Sequence, residues 1–158
     1  MKTIRLLLIG AMMLLGNMGL CAQNADKLYE EGKALYDAKK YEQAFQKLMP
    51  AAEKGHKKAQ YRIGRCFDKG NGVEESNKKA FAWYQKSAEQ GYAKAQLQLG
   101  RCYMKGKGTT ADQNKAKTWL KRAIKNPKGG DKVLANLKED IAKGDEEAKQ
   151  LLKMAQEK

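Results

Sequence analysis

Proline and histidine are almost missing from this chain, which has only Pro50, Pro127 and a single imidazole, His56. Scarce proline leaves long stretches free to be helical, because an interior proline removes a hydrogen bond and clashes with the preceding turn. A lone histidine leaves a Ser–His–Asp triad with one candidate, and His56 falls at a turn where ordinary surface polarity explains it. Cysteine is limited to Cys21, Cys66 and Cys102. With one His, separated cysteines and scattered carboxylates there is no ligand cluster for a metal, and neither a metal nor another cofactor is expected. After the first 15 residues no apolar run approaches the roughly 20 residues that cross a bilayer.

What is present is charge and helix-forming sequence. Of 158 residues 32% are charged and 8% aromatic, a composition that favours helix over sheet, so an all-α fold is expected. The length suits one domain or a short stack of repeats, not a multidomain enzyme.

The first residues have the layout of an export signal: Lys2 and Arg5, then the apolar run Leu6 to Leu15, then Leu20-Cys21-Ala22 before Gln23. Residues 1–22 are read as a signal peptide cleaved after Ala22, leaving a periplasmic or secreted chain without an integral membrane segment. The alternative is a lipoprotein anchored through Cys21. That signal needs a small residue just before the cysteine, where this chain has Leu20. Removing Lys2 and Arg5 from the formal +14 leaves about +12 on the mature chain, which favours acidic partners. The lysines are scattered among Glu and Asp with no Arg-rich tract, so nucleic acid is not an expected partner.

An internal repeat organises the rest. Residues 52–87 laid on 88–123 without a gap are identical at 15 of 36 positions, where unrelated sequences would agree at about two. The shared residues include Gly55/Gly91, Ala59/Ala95, Gln60/Gln96, Gly64/Gly100, Arg65/Arg101, Cys66/Cys102, Gly70/Gly106, Gly72/Gly108, Ala80/Ala116 and Trp83/Trp119. Each unit shows the helical period twice, first through Ala59, Ile63 and Phe67, then through Ala80, Trp83, Tyr84, Ser87 and Ala88. Gly70-Asn71-Gly72 and Gly106-Lys107-Gly108 separate the helices, with glycines suited to a left-handed helix end. Ser76 and Asp112 stand where they can cap each second helix. Gly64 and Gly100 cost helix propensity of about 1 kcal/mol each, which argues for close helix contact. Trp83 and Trp119 are expected to wedge between successive hairpins. Cys66 and Cys102 occupy equivalent positions on stacked helices about 8–10 Å apart, beyond the roughly 7 Å between α-carbons that a disulfide tolerates, so two free thiols are expected.

Ile63-Gly64-x-x-Phe67-x-x-Gly70-x-Gly72 and Leu99-Gly100-x-x-Tyr103-x-x-Gly106-x-Gly108, each followed by Lys-Ala-x-x-Trp, resemble Sel1-like repeats, relatives of the tetratricopeptide repeat. The resemblance implies an α-solenoid of about three to four helical hairpins. A tetratricopeptide-like first hairpin is placed at residues 23–54, through Gly32, Leu35, Tyr41, Ala44, Leu48 and Ala51. Sel1-like repeats follow at 55–90 and 91–126, and a C-terminal helical pair at 127–158 closes the stack. In that last segment Asn126-Pro127-Lys128-Gly129-Gly130 breaks the period, a helix over 131–143 runs through Leu134, Leu137 and Ile141, and Gly144-Asp145-x-x-Ala148 echoes the start of the earlier units.

By the same resemblance the chain is a binding scaffold and not an enzyme. Its groove positions fall on Tyr29, Lys33, Tyr36 and Asp37, then Lys58, Tyr61, Arg65 and Asp68, then Lys94, Leu97, Arg101 and Met104. A ladder of Lys33, Arg65 and Arg101 beside Tyr29, Tyr61 and Leu97 would suit a protein partner presenting an extended acidic peptide. Cysteine-rich exported relatives have been linked to β-lactams, and Ser76-x-x-Lys79 formally matches a nucleophile motif of β-lactam enzymes. The Ser-Asp-Asn and Lys-Thr-Gly partners of that motif do not occur. Binding or hydrolysis of β-lactam or cell-wall fragments is the alternative reading.

Overall fold

The computed structural model describes residues 24–157. Among them are eight helices and no strand: α1 over 24–37, α2 Tyr41–Glu53, α3 Lys57–Lys69, α4 Asn77–Glu89, α5 Ala93–Lys105, α6 Gln113–Ile124, α7 Gly130–Ala142 and α8 Glu146–Gln156. The signal peptide assigned to 1–22, with Cys21, lies outside the described residues. Helix α3 packs on α4 and α5 on α6 as hairpins, and successive hairpins rest on each other through α2–α3 and α4–α5, which makes an all-α solenoid.

Each hairpin is closed by one large side chain seated on a helical glycine. A Cβ at Gly32 would lie 2.6 Å from Leu48 Cγ, at Gly64 2.6 Å from the Tyr84 ring, and at Gly100 2.7 Å from Leu120 Cγ. Leu48, Tyr84 and Leu120 recur every 36 residues and are each at most 1% exposed. These three fill seats inside their own hairpins, and no identity between the repeats marks them. Trp83 and Trp119, one residue earlier, are only partly buried, and each lies under a cation, Lys86 at 4.3 Å and Arg122 at 4.7 Å from the ring centre.

The glycine corners do two jobs. Gly70 and Gly106 end α3 and α5 in the left-handed region, their N–H groups returning to the carbonyls of Cys66 and Cys102. Gly72 and Gly108 lie against the backbone that starts the preceding hairpin's second helix: a Cβ at Gly72 would meet Tyr41 C at 2.4 Å, and one at Gly108 would meet Asn77 O at 2.1 Å. The residue between the two glycines reaches back as well. Asn71 donates to Tyr36 Oη at 2.9 Å, and Lys107 to Asp68 Oδ1 at 2.6 Å.

Polar groups inside the stack are paired in register. Buried Gln60 and Gln96 donate to Ala52 O at 3.1 Å and Ala88 O at 3.3 Å. Their side-chain carbonyls accept from Gln90 at 2.7 Å and Asn126 at 2.9 Å, so the same clamp joins each pair of hairpins. Ser76 and Asp112 cap α4 and α6, accepting from the N–H groups of Lys79 and Lys115. His56 caps α3. Its Nδ1 accepts from Ala59 N–H at 3.1 Å, its Nε2 faces Asp26 at 3.1 Å, and its ring stacks on Tyr29.

The C-terminal pair differs from the earlier units. Asp145 caps α8 through Ala148 N–H as His56 caps α3, and α8 packs on α6 through Ala148, Leu151 and Ala155. Helix α8 therefore holds the place of a fourth unit's first helix, and α7 is an additional helix laid across the stack's end. Its start is pressed onto α6, where a Cβ at Gly130 would lie 2.4 Å from Ile124 O. With the helix beginning there, Val133 and Leu137 enter the core, and Leu134, expected as a core residue, is only half-buried.

Three outcomes are expected. Gly91→Ala, at φ +76° with open space around it, costs about 1–2 kcal/mol by backbone strain. Gly108→Ala adds a clash with Asn77 O to the same strain and costs more, which urea unfolding of the pair measures. Burial pushes the Cys66 and Cys102 thiols up to about 11, so in a chain beginning at Gln23 both ignore a thiol reagent at pH 8 until the protein is unfolded without reductant. Burial holds the His56 imidazole below its usual range despite Asp26. The unfolded chain thus takes the proton more readily, and stability present above about pH 6.5 is lost as pH falls through the folded value. His56→Asn, which keeps a cap, flattens the dependence in urea melts between pH 7 and 5.

Candidate functional site

Helices α1, α3 and α5 present the face on which the sequence places a groove. Its first two rows are knit together by rings and cations. Tyr29 is buried, stacked on His56 at 4.4 Å, with the Lys58 ammonium 5.8 Å from its ring centre. Tyr36 is buried too, and two guanidinium groups lie over it, Arg62 at 5.2 Å and Arg65 at 5.7 Å. These tyrosines are platforms for the cations, where the groove reading had them meeting the ligand. Lys33 pairs with Glu30 on its own helix at 3.7 Å. Tyr61 packs edge-on against Tyr92 at 5.3 Å, and burial raises its hydroxyl pKa, so it remains a donor at neutral pH.

The third row is covered by the chain itself. Leu97 belongs to one apolar cluster with Val133, Leu137, Ala148 and Leu151, and Met104 packs against it. Arg101 faces Glu147 of α8 at 3.5 Å, and Glu147 also pairs with Lys105. Between the face and α7 lies a cavity of about 180 Å³ walled by Tyr61, Lys94, Leu97 and Arg101 on one side and Val133, Asn136 and Asp140 on the other. Of the three basic rungs Lys33, Arg65 and Arg101, two are therefore engaged by carboxylates. Arg65, half-buried, makes no ion pair among the described residues.

Arg62 was missed by reasoning from repeats because its partner in the alignment is Gln98, so nothing marks it as periodic. It is 17% exposed, bridges to Asp37 at 3.4 Å and shares Tyr36 with Arg65. Glu147 was missed because only the tertiary fold brings α8 to α5. Ser76 does not have the surroundings of a nucleophile. Its Oγ accepts from Lys79 N–H at 3.3 Å, and the Lys79 ammonium lies over the Phe67 ring at 5.3 Å.

Comparison with curated proteins returns no significant match. Residues 57–92 and 93–127 each match the Sel1 repeat. Among solved structures, the chain is similar to the Sel1 repeat protein from Oxalobacter formigenes, with 45% identity and a TM-score of 0.58 over 61% of this chain and 40% of that one. It is also similar to c5321, a protective antigen present in uropathogenic Escherichia coli strains and displaying an SLR fold, with 28% identity and a TM-score of 0.63 over 80% of this chain and 28% of that one. The chain thus spans less than half the length of either protein. No helix among the described residues is long and apolar enough to cross a membrane. With the seated glycines, the paired corners and the two matched segments in agreement, this chain carries two Sel1 repeats, at residues 57–92 and 93–127, within an all-α solenoid of helical hairpins.

Proposed function

We propose that this protein is an exported scaffold that holds an extended acidic segment of a partner protein on the face formed by α1 and α3. Sel1 repeat proteins generally act as protein–protein interaction scaffolds. The observation that carries the finer reading is the pair of guanidinium groups on Tyr36: Arg62 is anchored by Asp37, and Arg65 has no ion pair among the described residues. A guanidinium over an aromatic ring can still turn N–H donors toward a carboxylate, which matches it in geometry and charge. The formal charge of about +12 left after removing Lys2 and Arg5 from +14 adds long-range attraction for an acidic partner. Export follows from the leader-like residues Lys2 to Ala22, with the Cys21-anchored lipoprotein as the other form of the same destination.

The test is fluorescence anisotropy with a fluorescein-labelled hexaglutamate peptide at low salt. The wild-type protein is expected to bind, and the double variant Arg62→Glu/Arg65→Glu to lose more than tenfold in affinity while its helical circular dichroism is unchanged. Equal affinity of the folded variant and the wild type would reject this face as the binding surface.

A further inference from the structure

Where α2 and α6 seat leucines on the glycines of their partner helices, α4 seats Tyr84. The ring is as buried as Leu120, but it brings a hydroxyl that is itself buried and has no hydrogen-bond partner. Leucine at that position would avoid leaving a buried polar group unpaired, so the tyrosine calls for a reason beyond packing. Arg101 Nε is the other buried side-chain atom without a hydrogen bond among the described residues, its nearest acid being Glu147 Oε1 at the 3.5 Å ion-pair distance.

Tyr84 and Arg101 line one cavity of about 150 Å³ between α3, α5 and α8, several times what a single water needs. Buried Tyr84 and Cys102 form its inner part, and exposed Lys69 and Lys105 stand at its rim. Its two acids are already answered. Asp68 is held by Lys107 at 2.6 Å and Lys69 at 3.6 Å, and Glu147 by Arg101 and Lys105. Four cations against two carboxylates leave the lining positive. Burial pushes the Tyr84 hydroxyl pKa up, so it is a donor at any physiological pH.

We propose that this cavity is a carboxylate-binding subsite, in which the Tyr84 hydroxyl and the Arg101 Nε–H donate to one acidic side chain of the bound segment. The source of that carboxylate rests on the peptide-binding reading above; the subsite itself takes any small carboxylate that fits.

Isothermal titration of the full chain with succinate and, separately, with the hexaglutamate peptide tests it. Wild type is expected to bind both, and Tyr84→Phe to weaken both by tenfold or more while unfolding at no lower urea concentration, since the orphan hydroxyl is gone. Arg101→Lys, which keeps the charge facing Glu147 and removes the Nε donor, should weaken both probes likewise. Failure of succinate to bind the wild type would overturn the subsite, as would a Tyr84→Phe protein that binds both probes at wild-type affinity, whatever its stability. Peptide binding that depends on Arg62 and Arg65 but not on Tyr84 would overturn the subsite and leave the α1–α3 face standing. Succinate binding that needs Tyr84, with no peptide binding, would support the subsite and refute the peptide reading.

Discussion

Each of the first three hairpins depends on helix backbones approaching at a glycine, Gly32, Gly64 or Gly100, filled from the opposite helix by Leu48, Tyr84 or Leu120. A methyl group at any of the three would overlap the seated side chain, so the glycine and its occupant form one unit. The cost in helix propensity at such a site is offset by dispersion contacts that only this approach permits. From the seating follows the placement of the corner glycines on the preceding hairpin and of Gln60 and Gln96 within reach of Ala52 and Ala88.

The repeat was legible because close packing demands particular residues. Glycines recur at 36 residues at close seats and at positive-φ turns, small alanines at helix contacts and glutamines at the clamp, and their spacing in the sequence predicted hairpins, corners and caps at Ser76 and Asp112. The side chains seated on the helical glycines left no mark in the sequence for a physical reason. Identity between units singled out Trp83 and Trp119, yet the seated position accepts any large apolar body and so differs between units as Tyr84 and Leu120. Conserved size without conserved identity leaves no trace in an alignment of two repeats.

The face suffered from a different blindness. Groove positions could be counted along α1, α3 and α5, but whether another helix lies over them depends on α7, whose place is set by Gly130 meeting the end of α6 and by no periodic signal. Leu97, Met104 and Arg101 are consequently part of the contact with α7 and α8, and Tyr29 and Tyr36 serve as ring platforms beneath Lys58, Arg62 and Arg65. Pairings between charges far apart in the sequence, such as Arg62 with Asp37 and Lys105 with Glu147, exist only once the helices are stacked.

The seats of Gly72 on Tyr41 and of Gly108 on Asn77 bind each corner to its neighbour at a fixed number of residues. By contrast, Gly55, Gly91 and Gly144 have open space around them. Changes in chain length are therefore absorbed unequally: an insertion within a corner would unseat it from the hairpin behind, whereas one at an open turn meets no neighbour. Lengthening of such an array by evolution would proceed through whole units joined at the open turns, each new corner finding its ready-made seat on the unit before it.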